Sequence, residues 1–387
     1  MKALNIRFDR NELSGSFGDI GTSLPLIIGI VAVSGINLAS VLIMFGIMQI
    51  FTGLRYGIPI SVQPLKAFAA IIIAQKLTGN VIFAGGLAIG IIMLVFTLTG
   101  LVEWFAKYVP KSVVRGIQFG LGLQLGMLAF KNYISVGPVI SYIFAGLAFV
   151  IALVLIGNRK YPPAIFIMVL GLLYILFFSK VRAISMLVPS IHFPHFTGDF
   201  SIADLVKGFF LLALPQIPLS IGNSILATSQ VSKDFFPERA VSVKNISFSY
   251  SLMNIICPFF GGIPVCHGSG GLAGNYTFGA RTAGSVIIYG SVFIVAGLFF
   301  SNNFEHLVNL FPLSLLGIIL LFESITLMLL LRDVMNSKKD FFIALIVGVL
   351  AVNLPFGYAV ALVVGMIAWY IPQKLKVKMT VFGFKNN

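Results

Sequence analysis

Two short stretches stand out for the chemistry their residue types could do. The first reads Pro59-Ile60-Ser61-Val62-Gln63-Pro64-Leu65-Lys66-Ala67, the second Pro264-Val265-Cys266-His267-Gly268-Ser269-Gly270-Gly271-Leu272-Ala273-Gly274. Each looks like a few extended residues running into a half-helix. Pro64 suits a first helical turn, where its missing N–H is no loss, and glycines let backbone come close to a ligand. A helix that begins at membrane depth offers unpaired amide N–H groups and roughly half a positive charge at its tip. Two such tips aimed at one spot form an anion site from neutral groups. Gln63, Pro64 and the backbone to Ala67 would bind from one side, and Ser269, Gly270 and Gly271 from the other. The plain alternative, a pair of Gly/Pro kinks where helices pack, is disfavoured because the two interruptions fall at matching places in the chain.

Other candidates cluster around these stretches. Lys66 could face the anion, pair with an acid or snorkel to the interface, and the sequence leaves all three open. Thr22, Ser23, Ser220 and Asn223 lie on segments that should flank the site and are candidate contacts. His267 is a candidate for lining the pocket; with Cys266 it supplies too few ligands for a metal, and no metal or cofactor is expected. Asp19 and Glu323 are the acids placed deepest. If the cargo is the divalent oxyanion that the family resemblance below implies, importing it against 100 mV costs about 4.6 kcal/mol, because each charge costs ~2.3 kcal/mol. Uphill uptake therefore needs coupled cations, and Asp19 is the candidate proton carrier, with helix capping as its alternative role. Glu323 reads as structural, and Arg281 as a domain-anchoring ion pair. His192, His195 and His306 carry no specific expectation. No nucleophile–base set appears, which argues against an enzyme.

The elements that position these residues must lie in lipid. Of 387 residues, 58% are hydrophobic and only 10% charged, and the mean hydropathy is +1.02. One soluble core could not hide that much apolar surface. At about 20 apolar residues per crossing, segments fall near 17–34, 36–54, 62–77, 81–105, 112–131, 137–156 and 162–179. A second set falls near 208–230, 241–259, 265–280, 283–301, 308–331, 340–354 and 356–372. The net charge of +14 is not a nucleic-acid patch, since the 26 Lys and Arg punctuate the gaps between apolar runs. With the N-terminus inside, twenty of them fall on the cytoplasmic side and five outside, leaving Lys66 within a span. That split is the positive-inside pattern, and it predicts fourteen crossings of the cell membrane with both termini cytoplasmic. Charged residues Lys2 to Glu12 lead straight into a repeated segment, so no cleavable signal is expected. Cys257 and Cys266 read as unpaired thiols.

An internal repeat organises the chain. Gly57-Ile58-Pro59 recurs as Gly262-Ile263-Pro264, and the same offset carries segment 1 onto segment 8. Seven crossings per half is odd, so the second half is inverted, an arrangement used by transporters. The predicted fold is therefore an all-α polytopic membrane protein of seven plus seven inverted segments, residues 1–180 and 181–387. Segments 3 and 10 would carry short strands and half-helices.

The motifs also resemble a known family. Phe17-Gly18-Asp19-Ile20-Gly21-Thr22, Val62-Gln63-Pro64-Leu65-Lys66-Ala67, Pro215-Gln216-Ile217-Pro218-Leu219 and the run Cys266 to Gly274, followed by Phe278-Gly279-Ala280-Arg281, are similar to the molybdate transporter family related to sulfate permeases. The resemblance spans nearly the whole chain. It implies a core domain of segments 1–4 and 8–11 and a gate domain of segments 5–7 and 12–14. It further implies transport of a tetrahedral oxyanion, with molybdate first and sulfate second. Only residues 373–387 follow the last segment, so the cytoplasmic regulatory (STAS) domain of many sulfate permeases is not expected. A passive anion channel and a nucleobase carrier are the rival functions; nucleobase carriers usually present acids on segments 8 and 10, where this chain has Asn223 and none. Expected partners are the oxyanion and membrane lipid, with a homodimer allowed.

Overall fold

Long runs of Leu, Ile, Val and Phe, broken by Gly and Pro, fold here as helices whose backbone groups are satisfied internally, as a lipid environment demands. The computed structural model describes residues 6–136, 138–156, 158, 160–161, 163–178, 189–354 and 357–374. The side chains of Glu323 and His306 and the expected repeat boundary at 180/181 lie outside the described residues. In the first half the order is α1 (Arg10–Ser16), α2 (Ile20–Ser34), α3 (Leu38–Tyr56), β1 (Val62–Pro64), α4 (Lys66–Gln75), α5 (Gly79–Leu98), α6 (Leu101–Tyr108), α7 (Lys111–Leu128), α8 (Val139–Leu155) and α9 (Pro163–Phe178). The second half continues α10 (Ile202–Gly208), α11 (Leu214–Leu219), α12 (Thr228–Phe235), α13 (Val243–Ile256), β2 (Val265–His267), α14 (Ser269–Thr277), α15 (Gly284–Leu310), α16 (Leu313–Leu329), α17 (Lys338–Asn353) and α18 (Gly357–Lys374).

Among the described residues, six stretches are long and apolar enough to cross a bilayer: Arg10–Ser34, Leu38–Tyr56, Gly79–Leu98, Lys111–Ile134, Gly284–Ser301 and Leu313–Val334. A seventh is the pair Ile202–Ile217 and Ser220–Phe235, bent by 51°. Val139–Leu155, Pro163–Phe178 and Val360–Ile371 are shorter apolar helices.

Two expected boundaries need correction. The span placed at 81–105 ends at Leu98, because Gly100 takes a left-handed turn (φ 76°) and α6 starts afresh with Glu103, Trp104 and Lys107 exposed. The span placed at 208–230 is a longer element, 202–235, with π-helical turns at Phe209–Ala213 and Ser220–Ala227. Pro215 and Pro218 lack N–H donors, so a regular ladder cannot run through them.

Packing divides along α7. Helices α3 and α15 lie side by side, as do α5 and α13, while α7 packs with α16, α17 and α18. Contacts of α14 and α2 with α16 join the two groups. Glu12, a charged leader residue by sequence, is fully buried instead. Its carboxylate accepts from the amides of Arg281, Thr282 and Ser285 at 2.9–3.1 Å, satisfying the start of α15.

Candidate functional site

The two interrupted helices meet. β1 and β2 pair antiparallel, with Val62 opposite His267, Gln63 opposite Cys266 and Pro64 opposite Val265. Leu65 N donates to Pro264 O and Gly268 N to Ser61 O, both at 3.1 Å, extending the ladder at each end. At about 3.3 Å rise per residue, that ladder is roughly 13 Å long. The starts of α4 and α14 therefore do not converge on one spot, as the sequence led us to expect. They lie at opposite ends of one small buried ribbon, because the antiparallel pairing sends the two chains out in opposite directions. Neither helix has a side-chain cap, since the residues before them are Leu65 and Gly268. First-turn amides, from Lys66 to Phe68 and from Ser269 to Gly271, cannot be satisfied within their helices.

The ribbon is held by a symmetric device that sequence reading missed. Gln49 of α3 donates to Val62 O at 2.8 Å and accepts from Val62 N at 3.1 Å. Asn254 of α13 does the same to Val265, at 2.6 and 2.9 Å. Both side chains are fully buried. Helices α3 and α13 each lead into a left-handed glycine, Gly57 (φ 68°) and Gly261 (φ 71°), which turns the chain towards the ribbon. Pro64 is a strand residue and not the first residue of α4, a correction with a simple cause. Val265 turns both backbone groups to Asn254, so the residue opposite needs no N–H.

Gln63 and Asp19 are bonded to each other, the Gln63 amide donating to the Asp19 carboxylate. Ser23 Oγ donates to the same carboxylate at 3.0 Å. Asp19 makes no side-chain cap to α2, so the capping alternative fails. It sits against the first turn of α14: a Cβ on Gly271 would lie 2.7 Å from Asp19 Cγ, and a Cβ on Gly268 would lie 2.3 Å from Gln63 Cδ. Ser269 Oγ donates to Asn223 Oδ1 at 3.1 Å, tying α14 to the bent segment. Lys66 Nζ is buried without a hydrogen-bond partner, while Ser224 lies against the Cys266 thiol. Buried polar atoms are normally satisfied, so the Lys66 ammonium marks a place for a ligand atom. Thr22 and Lys66 line one wall of a cavity of about 630 Å³.

Two candidates point elsewhere. His267 Nε2 bonds Ser249 Oγ at 2.7 Å and the ring packs on Tyr56, on the face of the ribbon opposite Gln63, because alternate strand residues face opposite ways. Ser220 bonds Tyr250 at 2.7 Å and accepts from Gln216, which commits it to packing. Arg281 donates to the carbonyls of Tyr276 and Ala280 and stacks 3.6 Å over the Tyr276 ring, closing the end of α14. Cys257 and Cys266 are free and buried, and the described residues hold no cluster of metal-ligating side chains.

A second charged centre lies between the helix groups. Arg115 of α7, which by charge alone reads as one of the twenty cytoplasmic cations, is fully buried. It donates to both carboxylate oxygens of Asp234 at 2.7 and 2.9 Å and also to Asp333. Lys111 joins at 3.2 Å from Asp333. A cation near a helix start reads as a loop residue until its partners, remote in sequence, are known.

A multi-pass helical bundle with two half-helices joined at a short ribbon is an arrangement found in membrane transporters. The chain belongs to the molybdate transporter family: the model described as "Molybdate transporter of MFS superfamily" matches residues 11–125 and 208–327. It is 34% identical to molybdate transporter 2 of Arabidopsis thaliana over 95% of this chain and 88% of that one. Molybdate transporter 1 of the same plant is 32% identical over 92% and 88%. Among solved structures, the transmembrane domain of the cyanobacterial bicarbonate transporter BicA matches with a TM-score of 0.57 at 18% identity, covering 94% of this chain and 98% of that one. Murine solute carrier 26 family member A9 matches with a TM-score of 0.59 at 13% identity, covering 98% and 70%. These two show likeness of fold.

Proposed function

We propose that the protein is a secondary active importer of molybdate, which binds where the starts of α4 and α14 flank the β1–β2 ribbon. The observation that carries this reading is the buried Lys66 ammonium at an uncapped helix start, which among the described residues has no hydrogen-bond partner and only the nearby charge of Asp19 to offset its own. An ammonium removed from water without a partner costs several kcal/mol. A bound dianion offsets that cost together with the first-turn amides. Thr22, on the same cavity wall as Lys66, adds a neutral donor at this end, and the first-turn amides of Ser269, Gly270 and Gly271 offer neutral donors at the other end of the ribbon, which allows release as well as binding. Gln63 acts through Asp19, holding the carboxylate beside the anion.

Proton coupling follows from that geometry. An ionised Asp19 and a dianion at the same helix start repel each other, whereas a protonated Asp19 does not. Proton binding and oxyanion binding therefore favour one another, which is the linkage a symporter needs. The fourteen-segment count, the inverted halves, the core and gate domains and cytoplasmic termini at the cell membrane belong to the same proposal. Its supports are the paired clamps of Gln49 and Asn254, the paired turns at Gly57 and Gly261, and the charge split of the loops.

Purified protein in liposomes tests the function. Molybdate should accumulate faster with an inward proton gradient, and tungstate and sulfate should be tried as competitors. Uptake indifferent to the gradient rejects proton coupling. Competition by uracil and by no oxyanion rejects the substrate class.

A further inference from the structure

The 630 Å³ cavity reaches beyond the start of α4. One wall is Thr22, Leu26 and Lys66; the other, from α7 and the π-helical turn after it, includes Gln124, Lys131 and Asn132. It carries two lysines and no acid. Two comparable cavities, of about 540 and 650 Å³, have no charged lining residue at all. Among the described residues, neither Lys66 nor Lys131 has a carboxylate within ion-pair distance; the charge of Asp19 acts on Lys66 from farther away. Lys131 is exposed, while the Lys66 ammonium is sealed from solvent. Tyr358 donates to Gln124 Oε1 at 2.7 Å, which leaves the amide NH₂ as the end available to an anion.

We propose that this cavity is a second anion site, where Lys131, helped by Asn132 and Gln124, captures the hydrated oxyanion before it reaches Lys66 and the ribbon. The proposal rests on the oxyanion reading and adds a step to it. Two like charges facing one apolar-walled cavity repel each other, and a dianion between them reverses the sign of that interaction. Low-dielectric walls focus the field of the lysines on the cavity mouth and raise the local anion concentration. Capture at an exposed lysine is sensitive to salt, since the screening length falls from about 30 Å at 0.01 M to about 10 Å at 0.1 M. Binding at the sealed Lys66 is much less so.

The test is molybdate uptake into liposomes by the full chain at low and at physiological ionic strength. Lys131→Gln should raise the apparent KM about threefold or more at low salt, with the gap closing as salt rises. Lys131→Arg should behave as the parent, and Lys131→Glu should be worse than Lys131→Gln. Lys107→Gln removes an exposed lysine of α6 that does not line the cavity, and should leave KM unchanged. A parent protein that transports molybdate while Lys131→Gln and Lys131→Glu keep its KM at low salt overturns the capture site alone. A parent that transports no oxyanion overturns the cargo reading, and the capture site with it.

Discussion

Arg115 and Asp234 form a two-pronged ion pair across the boundary between α7 and the bent segment, at 2.7 and 2.9 Å, with the guanidinium fully buried. Asp333, on the same side of the boundary as Arg115, holds that guanidinium as well. A separation of the two helix groups would therefore break the arginine from Asp234 and still leave it a partner. Gln118 accepts from Arg115 at 2.8 Å and donates to Ala227 O at 3.2 Å, a second link across the same boundary. The capture cavity lies towards the other end of α7, so one end of the cleft is bolted while the other is open.

Removing the arginine should therefore hurt more than removing either acid. Arg115→Met leaves two carboxylates facing each other and should cost about 3–5 kcal/mol, the usual effect of breaking a buried pair. Asp234→Asn should cost clearly less and should shift the protein towards separation at this end. Thermal unfolding in detergent ranks the stabilities. Labelling of a cysteine placed at Ala227, expected to rise in Asp234→Asn, reads the opening.

The close approach at the ribbon predicts steep intolerance at two glycines. A Cβ on Gly268 meets Gln63 Cδ at 2.3 Å, and one on Gly271 meets Ser61 Cβ at 2.6 Å and Asp19 Cγ at 2.7 Å. Gly268→Ala and Gly271→Ala should each cost about 1–3 kcal/mol through overpacking and should lower uptake by at least tenfold, because the displaced groups belong to the site. Gly146→Ala meets nothing within 4 Å and should be neutral in both respects.

The two amide clamps should prove equivalent. Gln49→Ala and Asn254→Ala each strand one backbone N–H and one C=O in the core, at about 1–3 kcal/mol per orphaned group. Comparable losses in melting temperature for the two variants would fit a shared role at related positions. A loss in only one would show the likeness to be superficial.

Asp19→Asn separates coupling from binding. The amide can still meet Ser23 and Gln63, but it cannot carry a proton. The variant should bind molybdate, measured calorimetrically, within about tenfold of the parent, allowing ~1.4 kcal/mol for the altered bonds. Its uptake should lose all response to an imposed proton gradient. A variant that still responds excludes Asp19 as the carrier.

Much of this was legible in the chain because lipid imposes a simple grammar. Apolar runs had to become helices, and Gly57-Ile58-Pro59 with Gly262-Ile263-Pro264 had to interrupt two of them. The motifs from Gln63 to Ala67 and from Cys266 to Gly274 marked the place where the interruptions meet. Local patterns of that kind depend on neighbours within a turn or two, so they survive reading in one dimension. What folding alone settled was direction and partnership. It turned His267 away towards Ser249, tied Gln63 to Asp19, committed Ser220 to Tyr250, and buried Arg115 between acids over a hundred residues distant. Strand facing and long-range ion pairing arise only when remote segments are brought within a few ångströms, where desolvation makes every unpaired group costly and selects its partner.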